Sequence, residues 1–194
     1  MRTIVILVLT LLIISGKRFI HAQSSVNNIQ LPELRVDKQR KIINVPDLED
    51  YITLKCDFHM HTIFSDGSVW PTVRVYEAYY EGLDAISITD HIENNPSKPF
   101  VEGDDNSSYE IAKDAAKDYN ILLVRGGEIT RAMPPGHLNA IFLDDVNKLD
   151  TKDPVDAIME AHRQGAFITW NHPGWKAQQP DTCLIFDIRS EEHV

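Results

Sequence analysis

Apolar and polar positions fall into five short runs with strand character: LKCDFHMHT, DAISITD, ILLVRGGEIT, HLNAIFL and AFITWNHP. Between them lie three longer runs that read as helices, WPTVRVYEAYYEG, SSYEIAKDAAKDYN and DPVDAIMEAHRQG. The last has local signals at both ends. Asp153 can cap it, Pro154 suits its first turn, and Gly165 suits its exit. Within it, Val155, Ile158, Met159 and His162 recur at i, i+3, i+4 and i+7, which predicts one buried stripe. No internal repeat or low-complexity tract interrupts the pattern.

Strands alternating with helices predict parallel βα units. Right-handed crossovers wind such units into an open doubly wound sheet or a barrel. In both, functional groups gather at the carboxyl ends of the strands. That rule sorts the histidines. His59 and His61 are two residues apart, so both project from one face of the first strand. Asp66 follows in the loop SDG, where Gly67 permits a tight turn back toward the strand mouth. ISITDH ends the second strand with His91, and LLVRGGEIT ends the third with Glu128. MPPGH brings His137 to the start of the HLNAIFL run. FITWNHPGW ends a further strand with His172. His162, near the end of a returning helix, belongs at the opposite pole and is expected to pack against the sheet.

Each of these residues alone has an ordinary structural explanation. Their conjunction does not, because burying several ionisable groups together is costly unless they are paired or bound to a cation. Imidazoles and carboxylates suit zinc, manganese or iron. A site for several divalent metals is the economical account.

The ends and the charge refine the picture. Residues 1–22, with Arg2 followed by the apolar stretch Ile4 to Ile14 and a plausible cleavage point after Ala22, have the layout of a secretory signal peptide. The stretch is about half of the roughly 20 residues a membrane span needs, so the membrane matters only for export, to a periplasmic or secreted location. Residues 23–50 read as a polar linker, partly ordered around IINVPDLEDY, and residues 51–194 as the folded domain. The whole chain carries a formal charge of −10, with 19 basic and 29 acidic residues. Removing Arg2, Lys17 and Arg18 with the leader leaves 16 basic residues and a charge of −13. Such a surface argues against broad nucleic-acid binding but not against a small phosphorylated substrate. Of the two cysteines, Cys56 and Cys183, the first sits in a strand pattern and is expected as a packed thiol.

DFHMHTIFSDG, ITDH, GGEI, PPGHLNAIFL and WNHPGW, in that order over roughly residues 54–176, resemble the polymerase-and-histidinol-phosphatase (PHP) superfamily of metal-dependent phosphoesterases. The stretch from Thr53 to Glu93 is similar to exported PHP phosphodiesterases of the Bacteroidetes type. The resemblance implies a distorted (β/α)7 TIM-like barrel with up to three neighbouring metals. One would take His59, His61 and Glu128 with a late Asp. A second would take Glu128, His137 and His172. A third would take Asp66 and His91 with a late His. It also implies hydrolysis of phosphate esters, outside the cytoplasm, on nucleotides or small phosphate esters. Asp90 is a candidate for orienting His91 or handling a proton, beside the alternative of a solvated or capping carboxylate. Arg131 is a candidate for a phosphate oxygen, beside the alternative of an ion pair, and Lys176 is a weaker one. The family's late Asp-x-His segment has no counterpart after His172, and Asp187 is followed by IRS. The expectation is therefore a barrel truncated at its C-terminus, with the first and third metal sites each short of a ligand. Two other readings are an amidohydrolase-type C–N hydrolase, whose barrels also begin with Asp-x-His-x-His, and an inactive metal-binding fragment. SDG and TDH favour the phosphoesterase.

Overall fold

The computed structural model describes residues 39–175, and all but the first of these belong to one compact unit that begins at Arg40. The expected leader over 1–22, much of the linker, Lys176, Cys183, Asp187 and His193 lie outside the described residues. Among the described residues no helix is long and apolar enough to cross a membrane.

Five strands form one sheet in the order β1-β2-β3-β4-β5, curled like half of a barrel. They are β1 (Cys56–Met60), β2 (Ala85–Ile88), β3 (Leu122–Thr130), β4 (His137–Ile141) and β5 (Phe167–Trp170). Helices α1 (Pro71–Glu81), α2 (Ser107–Asp118) and α3 (Pro154–Arg163) alternate with them. The expected count of seven strands is not reached by these residues. The first three strands pair in parallel, as the βα pattern predicts. β4 does not follow that rule. It pairs antiparallel with both β3 and β5, with Glu128 opposite Asn139 and Thr130 opposite His137. The cause lies in the link. Only residues 131–136 join β3 to β4, and a parallel return needs a crossover of roughly a dozen residues or more. The reversal places the start of β4 beside the end of β3, while β5 again runs with β1–β3.

Two apolar clusters hold the helices to the outer face of the sheet. Val75 and Ala78 of α1, and Ala112 and Ala116 of α2, close over Ile86 and Ile88. Ala157 and Ala161 of α3 meet Ile129, Ala140, Val146 and Leu149 in the other. Each large side chain fully buried here, such as Ile86, Ile129 or Leu149, contributes about 1.5–3 kcal/mol.

The ends of α3 follow the sequence. Asp153 accepts a hydrogen bond from the Val155 amide at 2.8 Å, and Gly165 leaves with a positive φ of 77°. Its buried face follows only in part. Ile158 packs against the cluster, but Val155 and Met159 are 60% and 59% exposed, and His162 is exposed as well. The small alanines Ala157 and Ala161 make the fully buried contact, because they let the helix backbone approach the sheet closely. Cys56 is likewise exposed rather than packed, since it stands at the first position of β1, ahead of the covering helices. On the side of β2, Arg40 bonds the Leu83 carbonyl and pairs with Asp84, and the Lys41 amide reaches the Tyr80 carbonyl at 2.8 Å. Residues from Arg40 onward thus pack on this body.

Candidate metal centre

Glu128 is the fixed point of the site. It lies near the end of β3 on the inner face, is 0% exposed, and has neither carboxylate oxygen in a hydrogen bond of good geometry. Imidazoles surround it. Oε2 lies 3.5 Å from His59 Nε2, 3.1 Å from His61 Nε2 and 3.2 Å from His91 Nδ1. Oε1 lies 2.8 Å from His137 Nδ1 and 3.5 Å from His172 Nε2. One carboxylate therefore faces two groups of histidines, one through each oxygen.

The strands explain the convergence. His59 and His61 point inward from the end of β1, with their Nε2 atoms 3.1 Å apart. Asp66 returns to them because of Gly67. A Cβ at that position would stand 2.6 Å from the His61 carbonyl carbon and from the Thr62 nitrogen, so only glycine lets the loop fold this tightly onto β1. Asp66 then reaches His61 Nδ1 at 3.0 Å and His91 Nε2 at 3.5 Å. His91 bridges to Glu128 just past β2. His137 arrives through the antiparallel start of β4. His172, with a φ of 41°, follows β5 and stands 3.3 Å from His137.

Three groups of donors close enough to share a cation result: His59, His61 and Glu128; His61, Asp66 and His91; and His91, Glu128 and His137. His172 flanks the third group. The site thus brings together all seven of the side chains expected as ligands, with His61 and His91 each belonging to two groups. The donors are nitrogens and oxygens only, the set that suits zinc, manganese or iron. A fully buried carboxylate whose oxygens have imidazole nitrogens but no aligned donors fits cations lying between them.

Electrostatics follow from the same crowding. Burial disfavours the Glu128 anion, but His59 and His61, the charge of His91, and Asn171 outweigh it and hold its pKa far below the carboxylate range. Burial also opposes charge on His61, yet the nearby carboxylates of Glu128 and then Asp66 raise its pKa above the usual histidine value. For His91 burial prevails over the attraction of Glu128, and its pKa is lowered. His172 is lowered for the same reason.

Two expected residues take other positions. Asp90 accepts from the Thr62 amide at 2.5 Å, Thr62 Oγ1 at 2.7 Å, Ser65 Oγ at 2.6 Å, and Ser108 Oγ. Both of its oxygens are taken up by one loop amide and three hydroxyls, which ties the loop after β1 to α2. Arg131 pairs with Glu93 at 2.7 Å and donates to the carbonyls of Thr151 and Lys152. Its fork is thus committed to protein rather than open for phosphate.

Three supporting residues escape a reading of the chain. Asn171 donates to Asn139 Oδ1 at 2.8 Å, and Asn139 in turn donates to the Phe58 carbonyl at 2.9 Å. Thr130 Oγ1 meets His91 Nδ1 at 2.5 Å. Asn139 and Thr130 lie two positions after His137 and Glu128, on the same strand faces. That period is the signal that could have found them.

No protein-family model matches the chain. Among solved structures it is similar to a two-domain protein of Bacteroides vulgatus containing a predicted PHP-like metal-dependent phosphoesterase. The match has 62% identity and a TM-score of 0.72, covering 74% of this chain and 42% of that one. An uncharacterized protein of Methanocaldococcus jannaschii is 36% identical over 83 residues, 42% of this chain and 36% of its own. A 5'-3' exoribonuclease of Haemophilus influenzae is 33% identical over 79 residues, 41% of this chain and 24% of its own. The chain therefore spans less than half the length of each of these three relatives.

Proposed function

We propose that this chain, similar to a protein containing a predicted PHP-like metal-dependent phosphoesterase, is itself such an enzyme and hydrolyses phosphate esters with divalent transition metals held around Glu128. The observation that carries the reading is the division of Glu128, with Oε2 turned to His59, His61 and His91 and Oε1 to His137 and His172. A carboxylate so placed can bridge two neighbouring cations. His59, His61 and Glu128 would hold one, His137, His172 and Glu128 a second, and Asp66 with His91 a third, drawn from zinc, manganese or iron. Bound cations of this kind supply charge neutralisation for a phosphate group and lower the pKa of water toward neutrality.

The chain's own residues set the conditions. The buried Glu128 keeps its negative charge where several cations would otherwise repel one another. Burial lowers the pKa of His91 and of His172, which favours the neutral ring whose one free nitrogen lone pair a cation needs. Asn171 and Asn139 brace the inner face beneath the carboxylate. Asp90 fixes the loop that delivers Asp66 and takes no part at the reacting atoms.

The substrate is read as a small phosphate diester or monoester, nucleotides included. The relative named as an exoribonuclease supports a diester, while the net charge of −10 opposes long polyanions. Export through the N-terminal segment is part of the same proposal and places the reaction outside the cytoplasm.

The test is release of p-nitrophenol from bis-p-nitrophenyl phosphate by the purified chain with manganese or zinc supplied. Turnover should depend on the metal, and Glu128→Gln should lower it by roughly two orders of magnitude or more. Metal bound tightly with no release above the Glu128→Gln background would reduce the protein to a metal-binding module.

A further inference from the structure

His91 faces two groups of metal donors and can serve only one of them through a given nitrogen. Its Nδ1 lies 3.2 Å from Glu128 Oε2, and its Nε2 lies 3.5 Å from Asp66 Oδ2. A neutral imidazole carries one proton, and the nitrogen that keeps it is not a ligand. Whatever bonds the ring therefore decides which group receives its lone pair.

The geometry points to Thr130 as that determinant: its hydroxyl holds the proton of His91 on Nδ1 and so commits Nε2 to the cation site of Asp66. Thr130 Oγ1 stands 2.5 Å from His91 Nδ1 and 3.1 Å from the Glu128 carbonyl oxygen. A carbonyl only accepts, so the hydroxyl hydrogen goes to Glu128 O. The lone pairs of Oγ1 are left to accept from Nδ1–H. The arrangement is itself anchored. The Thr130 amide donates to Glu93 Oε2 at 2.6 Å, and Glu93 Oε1 pairs with Arg131 at 2.7 Å. Arg131 in turn donates to the Thr151 and Lys152 carbonyls that lead into α3. A chain of contacts from Arg131 through Glu93 and Thr130 thus sets the proton on a ring of the site. This gives Arg131 a supporting place beside His91, and it makes Thr130 a positioning residue.

The inference rests on the metal-site reading, but its first readout needs neither metal nor turnover. In the metal-free full chain, nitrogen-15 correlation spectra of the His91 ring at pH 7.5 should show the Nδ1–H tautomer. Thr130→Ser keeps the hydroxyl and should keep that tautomer. Thr130→Val removes the hydroxyl at nearly constant volume and should shift the ring to a mixture or to Nε2–H. Calorimetric titration with zinc alone should then show one site weakened by about tenfold or more in Thr130→Val, restored in Thr130→Ser, as expected for loss of a partner behind a ligand. Thermal melts of both variants separate misfolding from the effect. An Nε2–H tautomer in the unaltered chain, or a folded Thr130→Val with unchanged tautomer and zinc affinity, overturns the inference. Absence of phosphodiester turnover leaves the tautomer result standing and bears only on the proposed reaction.

Discussion

Asp105 shows how a single side chain can work against its own fold. Burial first, and then the charge of Asp150, push its carboxyl up to about 6. An unfolded aspartate titrates near ~3.9. Between those values the folded chain keeps a proton that the unfolded chain has released, so stability falls as pH rises from about 4 to about 6. Above that range the penalty is fully present. Asp105→Asn should therefore be more stable than the unaltered chain at pH 7.5, by about 1–2 kcal/mol after allowance for partial exposure, and equal to it near pH 4. Urea unfolding at the two pH values checks the difference. At the same scale, the meeting of His59, His61, Asp66, His91, Glu128, His137 and His172 at one rim could be read from the chain, because imidazoles and carboxylates at strand ends are rare. Thr130, Asn139 and Asn171 could not. Hydroxyls and amides occur in strands for many reasons, and only their partners in space give them meaning.

Elements carry a second kind of information, held in turns and links. The loop from Thr62 to Gly67 is fastened by Asp90, which accepts from Thr62, Ser65 and Ser108. It is closed by the contact of Gly67 with β1. Gly67→Ala would drive a Cβ to 2.6 Å from backbone atoms that cannot yield cheaply. A loss of about 2–3 kcal/mol is expected, with Asp66 carried away from His91. The melting temperature and the number of zinc ions bound report the two effects separately. The strands and helices were legible from period and caps, and the six-residue link 131–136 held the reversal of β4 for a reader who weighed its length. The buried face of α3 was legible only at Ile158. Val155 and Met159 have the hydrophobicity of a core stripe, but Ala157 and Ala161 have the size the contact requires.

For the whole molecule, the balance of charge at the site sets the response to metal. Ligands that bind only the folded state stabilise it by mass action, and the donors gathered around Glu128 exist only in the fold. Zinc at one hundred times its dissociation constant should add about 2.7 kcal/mol, raising the melting temperature by roughly 5–10 °C for a domain of this size. Differential scanning fluorimetry with zinc and then with a chelator measures the shift. Glu128→Gln should abolish most of it. A melt indifferent to zinc would count against any cation between these side chains.

The antiparallel hairpin of β3 and β4 also bears on the order in which the rim is assembled. Glu128 and His137 are neighbours along the chain, and a hairpin of this kind closes on a timescale of about 1–10 μs. His59, His61 and His91 reach the same point only after parallel pairings that must span whole helices, and such non-local pairings form slowly. During refolding, the carboxylate and its first imidazole would meet well ahead of the rest. Zinc offered to a refolding chain would then find a two-toothed grip waiting, onto which the remaining histidines close.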